Sequence, residues 1–131
     1  MGKEVVRTDK APGPFQGAPY SQAIRAGGLV FVAGQLGVEL GASAPVEGGI
    51  GPQTEQALRN LGQILEAAGS SLDDLVKTTV FLRDLDDFGG MNEVYARYVG
   101  ASPPARSTIE VGRLPSGALV EIEAVATAGG S

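Results

Sequence analysis

PQTEQALRNLGQILEAAGSSLDDLVKTTVFL, residues 52–82, decides the architecture of this chain. Ala57, Leu58, Leu61, Ile64, Leu65 and Ala68 recur at helical spacing on one face. Pro52 suits a first turn, where its missing N–H is not needed, and Gly69 suits the position just past a helix end. The spacing predicts a helix over Pro52–Ala68 with one face committed to a core. Ser71-Leu72-Asp73-Asp74 resembles a capping box and predicts one short turn. The pattern then changes: Val76–Leu82 is rich in β-branched residues and reads as a strand.

Towards the C-terminus, Asp86–Val99 predicts a second helix with Phe88, Met91, Val94, Tyr95 and Tyr98 as its apolar face. Gly89 and Gly90 weaken its first turn by roughly 1 kcal/mol each relative to Ala, a cost that implies close packing. Ser107–Arg113 and Ala118–Ala126 read as strands joined through Leu114-Pro115-Ser116-Gly117 into a hairpin. Val120, Ile122, Ala124 and Ala126 share one face of the last strand, Glu121 and Glu123 the other. Towards the N-terminus, Glu4–Thr8 reads as a short strand, followed by a Pro/Gly-rich irregular stretch. Ser21–Ala26 and Leu29–Ala33 read as strands joined by Gly27-Gly28, which permits the positive φ angles of a tight hairpin. Val30 and Val32 face one side, Leu29, Phe31 and Ala33 the other, which predicts a central strand in a sheet covered on both faces. Gly37–Gly51 is a long connection of the kind that carries function or orders against a partner. Its Gly48-Gly49-Ile50-Gly51 precedes a helix, but no Lys-Ser/Thr pair follows and the phosphate-loop reading fails. Residues 129–131 read as a frayed end. The order of strand, hairpin, helix, strand, helix and hairpin predicts one α+β domain over 1–131, with both helices on one face of a mixed sheet.

Composition narrows the chemistry. The 131 residues are 43% hydrophobic, enough for a real core, and 10 Lys+Arg against 15 Asp+Glu leave a net charge of -5. That balance, with scattered cations, argues against a nucleic-acid or anionic-membrane surface. No Cys and no His are present. Disulfides, thiolate nucleophiles, Ser-His-Asp triads and His- or Cys-based metal sites are thereby excluded. Catalysis has to rest on carboxylates, Arg, Lys, Tyr, hydroxyls, amides or the backbone. The N-terminus lacks the apolar segment of a signal peptide, and no apolar run approaches the roughly 18 residues of a membrane span. The expectation is a cytoplasmic protein.

One stretch, PPARSTIEV at 103–111, draws attention for chemistry. Arg106 follows a rigid Pro-Pro corner at the mouth of a β-type run, and Glu121 returns on the next run. Arginine presents a planar fork that fits a carboxylate bidentately. A carboxylate nearby holds a water or moves a proton. In a hairpin centred near Pro115 the two fall roughly opposite each other. Two readings stay open: a cross-strand salt bridge worth about 0.2–1 kcal/mol, or an anion clamp beside a proton-transfer group, suited to a small α-keto or α-imino acid. Tyr95 and Tyr98 read as core. Tyr20 lies in a loop before a strand, where function often resides. Asn92 falls off the apolar stripe of its helix and reads as surface.

Pro19-Tyr20-Ser21-Gln22-Ala23, Ala33-Gly34-Gln35, Val76–Leu82, Asp87-Phe88 through Met91–Tyr95, and Pro104-Ala105-Arg106-Ser107 through Leu114-Pro115 together resemble the Rid family, the YjgF-like reactive-intermediate deaminases. The resemblance runs in order over nearly the whole chain. It implies a fold similar to bacterial chorismate mutase, a mixed sheet of about six strands with two helices on one face, assembled as a homotrimer with sites between subunits. It also implies hydrolysis of enamine and imine intermediates, chiefly 2-aminoacrylate and its 2-imino tautomer, released by pyridoxal-phosphate enzymes. The products are a 2-keto acid and ammonia, and no cofactor or metal is needed. By the same resemblance Arg106 is the carboxylate clamp, assisted by the backbone N–H of Thr108. Glu121 holds the attacking water, Tyr20 and Asn92 line the cleft, and Gly34 allows close approach of substrate. Two positions depart from the family's pattern: Ala33 stands where many deaminating members have Ser, and Thr108 where Cys is usual. A trimer that binds small carboxylates without turnover, as a regulator or a holdase, is the alternative reading. Ribonuclease or translation-inhibitor activity, described for some members, fits poorly with the negative charge and the lack of His.

Overall fold

The computed structural model describes residues 2–128; the frayed end read at 129–131 lies outside them. Six strands form one sheet: β1 (Glu4–Val6), β2 (Ala23–Ala26), β3 (Leu29–Leu36), β4 (Leu75–Leu82), β5 (Ala105–Glu110) and β6 (Val120–Thr127). Their order across the sheet is β1-β2-β3-β6-β4-β5. All neighbours are antiparallel except β4 and β5, which run parallel. Two helices, α1 (Ile50–Ala67) and α2 (Phe88–Val99), pack on one face. Gly27 and Gly28 both take positive φ, as the β2–β3 hairpin requires.

The periodic residues of α1 are the centre of the core. Leu58, Leu61, Ile64 and Leu65 are fully buried, and such side chains contribute about 1.5–3 kcal/mol each. They meet Val30, Val80, Val120, Ile122 and Ala126 from the sheet. Gly90 is explained by the α1–α2 crossing, since a Cβ there would lie 2.8 Å from Ile50 Cγ2. Nothing in the structure requires Gly89. Tyr98 is half-buried rather than core, and its hydroxyl donates to Glu55 Oε2 at 2.8 Å, tying α2 to α1.

Three expectations are corrected. The C-terminal hairpin does not form: β6 inserts between β3 and β4, and β5 joins the far side of β4. Parallel β4 and β5 are linked by α2, a β-α-β crossover, which needs a connection long enough to reverse direction twice. The residues 114–117 that look like a hairpin turn instead form part of a longer connection containing a short 3-10 turn at Pro115–Gly117. The sheet is covered on one face only. Val5, Ile24, Phe31 and Val125 form a cross-strand row on the other face, and Phe31 is 43% exposed. Finally, β3 continues to Leu36 through a bulge, because Val32 pairs with Ala124 but Gln35 with Ile122. The extra residue at Ala33-Gly34 switches which side chains face the helices.

Buried amides tie down the loops that have no ladder partners. Gln22 accepts from the Thr8 N–H at 2.7 Å and donates to the carbonyls of Thr8, Ala11 and Pro12. Asn60 donates to the Leu36 and Val38 carbonyls at 3.1 and 2.9 Å. These two amides hold the segments that border the site.

Candidate active site

Cross-strand registers locate the two charged groups singled out in the sequence. One row on the helix-covered face runs Val6, Ala23, Val32, Ala124, Thr78 and Arg106. A row on the bare face runs Leu36, Glu121, Phe81 and Ile109. Arg106 and Glu121 therefore point to opposite faces, two strands apart, about 10 Å across the sheet. The cross-strand salt bridge is ruled out, and so is a site built from both residues of one chain.

Arg106 lies against α2. Its guanidinium carbon is 4.8 Å from the Tyr95 ring centroid and 5.5 Å from that of Phe88. Nη1 approaches Met91 Sδ at 3.9 Å. Among the described residues it makes no ion pair. Thr108, two residues on, shares its face. Thr108 Oγ1 and Asn92 Oδ1 are both buried without a hydrogen-bond partner among the described residues. A buried unpartnered polar atom costs about 1–3 kcal/mol, and a ligand offering complementary groups removes that cost. Asn92 is thus not the plain surface residue its place off the stripe suggested. The apolar stripe of α2 is core along Met91 and Val94, but Phe88, Met91 and Tyr95 also form the bed of Arg106. Sequence reasoning missed that second role, since only the parallel placement of β5 brings Arg106 over α2.

Glu121 belongs to a second group. It is half-buried, and burial, with a smaller contribution from neighbouring Glu123, raises its pKa above the ordinary carboxylate value. Gly34 lies directly against it: a Cβ at Gly34 would collide with the Glu121 carboxylate. Gly34 lacks positive φ, so its glycine makes room for the Glu121 carboxylate rather than serving a backbone conformation. The space it leaves is taken by the Glu121 carboxylate. Gly34→Ala is expected to displace Glu121 and to lower any Glu121-dependent turnover by at least about tenfold, a misplacement effect. Circular dichroism should stay unchanged, and steady-state rates on the variant check the loss.

Tyr20 and Gly34 border one cleft of about 440 Å³, together with Phe15, Leu36, Leu40 and Ser116. The Tyr20 hydroxyl accepts from the Phe15 N–H at 2.6 Å, which closes the loop carrying it. Gln16 and Ser116 have positive φ without being glycine, and both lie on this cleft. Ala33 sits in the bulge, its N–H bonded to the Gln22 carbonyl at 2.9 Å. The sequence-chosen residues thus fall into two separate groups. Tyr20, Gly34 and Glu121 form one; Arg106, Thr108 and Asn92 form the other.

The family model described as endoribonuclease L-PSP matches residues 8–128. The chain belongs to this family, the Rid or YjgF-like proteins. This Rid protein is 53% identical over 124 residues to a RutC family protein of Pyrococcus horikoshii, covering 95% of this chain and 97% of that one. It is 44% identical over 127 residues to the mouse protein named 2-iminobutanoate/2-iminopropanoate deaminase, covering 97% of this chain and 93% of that one. A crystal structure of a putative endoribonuclease from Thermotoga maritima superposes with a TM-score of 0.89 at 47% identity, covering 95% of this chain and 96% of that one. The Rid fold, a six-stranded mixed sheet with two helices, is the one the chain adopts.

Proposed function

We propose that this protein hydrolyses small 2-imino acids and their enamine tautomers to 2-keto acids and ammonia, at sites shared between subunits of a homotrimer. The carrying observation is the division of the charged machinery: a ligand-free arginine on one face, a proton-adjusted carboxylate on the other, neither sufficient alone. A bare sheet face holding Val5, Ile24, Phe31 and Ile109 supports association of copies, since Phe31 and Ile109 are 43% and 45% exposed. In the assembled site Arg106 of one subunit meets Tyr20, Gly34 and Glu121 of the next. The deaminase name of the 44% identical mouse relative supports the reaction class.

The steps use only groups present. Arg106 holds the substrate carboxylate and fixes the C=N carbon. The enamine takes a proton at its terminal carbon and gives one up from nitrogen to become the imine. Glu121 removes a proton from a water as the oxygen attacks the imine carbon, and the C=N π electrons move to nitrogen. Glu121 then returns the proton to nitrogen and relays the hydroxyl proton of the carbinolamine to the same nitrogen, so the C–N bond breaks with its electron pair leaving as ammonia while the freed O–H pair forms the carbonyl of the keto acid. A carboxylate with a raised pKa suits both halves of this transfer near neutral pH. A thousandfold acceleration needs about 4 kcal/mol, within reach of positioning plus one general base.

A pyridoxal-phosphate dehydratase acting on serine generates the imine in situ, with semicarbazide competing for it. The protein should divert the flux from semicarbazone to pyruvate. An unchanged semicarbazone yield at any protein concentration contradicts the proposal and leaves binding without turnover, a reading that Ala33, lacking a site hydroxyl, would then favour.

A further inference from the structure

Among the described residues no carboxylate holds the Arg106 clamp still, and an arginine side chain gives up much rotamer freedom when it is ordered. What it does have is Tyr95. The Tyr95 ring is buried, with the guanidinium carbon 4.8 Å from its centroid. Its hydroxyl meets Thr78 Oγ1 at 2.6 Å. Thr78 is fully buried on β4 and is the cross-strand partner of Arg106 on β5. Thr78 thus anchors both ends of one triangle: it sets the backbone row from which Arg106 projects and the ring on which the guanidinium rests.

The geometry points to Tyr95, locked by Thr78, as the positioning residue of the Arg106 clamp. A ring whose tilt is fixed by a buried hydrogen bond holds the planar guanidinium in one orientation through cation–π attraction. The fork is then ordered before ligand arrives, and less entropy is lost on binding. Phe88, exposed and 5.5 Å away, and Met91 confine the remaining sides. A plain core tyrosine needs no such relation to a cation. This inference rests on Arg106 acting as the carboxylate clamp, and its test separates the two.

Three variants resolve it: Thr78→Val, Tyr95→Phe and the double variant. Each single change leaves one buried hydroxyl unpartnered and lowers the thermal midpoint. The double change removes both hydroxyls while keeping ring and shape, so stability returns towards wild type. Two readouts are taken on the intact assembly: the order of the Arg106 Nε–H by nitrogen-15 relaxation, and the affinity for pyruvate. The double variant should be stable, show a more mobile Arg106, and bind pyruvate roughly three- to tenfold more weakly, the size expected for a loosened cation–π contact. Unchanged Arg106 order in the double variant overturns the inference, as does lower order with unchanged affinity. If the wild type binds no pyruvate while Arg106 order still falls, Tyr95 positions Arg106 and it is the carboxylate reading of the clamp that fails.

Discussion

Arg106→Ala is expected to abolish measurable keto-acid formation from 2-imino acids while leaving fold and assembly intact. A hydrogen bond to a charged group contributes about 1.5–3 kcal/mol, so loss of a two-pronged contact corresponds to at least roughly a hundredfold in kcat/KM. The cost to folding is small for a physical reason. Arg106 forms no ion pair among the described residues, so no carboxylate is orphaned by its removal. Its truncation gives up its contacts with Phe88, Met91 and Tyr95. Arg106→Lys keeps the charge but not the planar fork and should fall between the two. Steady-state rates with gel filtration in parallel check this. Loss of assembly in Arg106→Ala, with activity retained in whatever stays soluble, would contradict it.

Glu121→Gln should separate activity from stability. Turnover is expected to fall by about 100- to 10,000-fold, the usual contribution of a general base, while KM changes little. Stability should move the other way. Burial raises the Glu121 pKa above its unfolded value. Stability from this group is therefore fully present below the unfolded pKa, where the carboxyl is protonated in both states. It is lost as pH rises through the higher folded pKa. Above that pKa the ionised carboxylate is a burden on the fold, and the neutral amide relieves it. The variant should melt higher than wild type at pH 7, with the difference closing as pH falls into the carboxylate range. The same raised pKa shifts the acid limb of the wild-type rate profile upward from the ordinary carboxylate value. Thermal melts and rates across pH test both. A variant less stable at pH 7 and equally active would remove Glu121 from the mechanism and from this electrostatic account.

Much of the architecture was legible because it is locally periodic. The α1 stripe, the Gly27-Gly28 turn and the alternation in β6 each state their own geometry. The pairing of β5 was not legible in that way. Pro115-Ser116-Gly117 has the composition of a turn, whereas parallel pairing of β4 with β5 is set by the length and packing of the intervening helix, which no short window displays. The error carried into the site: a hairpin places Arg106 opposite Glu121, while the true register puts them on opposite faces. The β3 bulge was hidden for a similar reason, since one extra residue at Ala33-Gly34 is invisible until the strand is paired with β6. The candidate site residues themselves came from motif resemblance, and the structure separates them into two groups, with Arg106 and Glu121 on opposite faces of the sheet. Asn92 and Thr108 acquired physical meaning only through their buried, unpartnered oxygens.

The central claim is that each working site draws Arg106 from one chain and Glu121 from another. Arg106→Ala and Glu121→Gln chains, each inactive alone, can be unfolded together in equal amounts and refolded into mixed assemblies. A site is intact when a Glu121→Gln chain supplies its arginine and an Arg106→Ala chain its glutamate, which random mixing in a closed ring achieves in about a quarter of sites. The account predicts recovery of about that fraction of wild-type pyruvate formation. A mixture that stays as inactive as its parents, while gel filtration shows mixed assemblies, would contradict it.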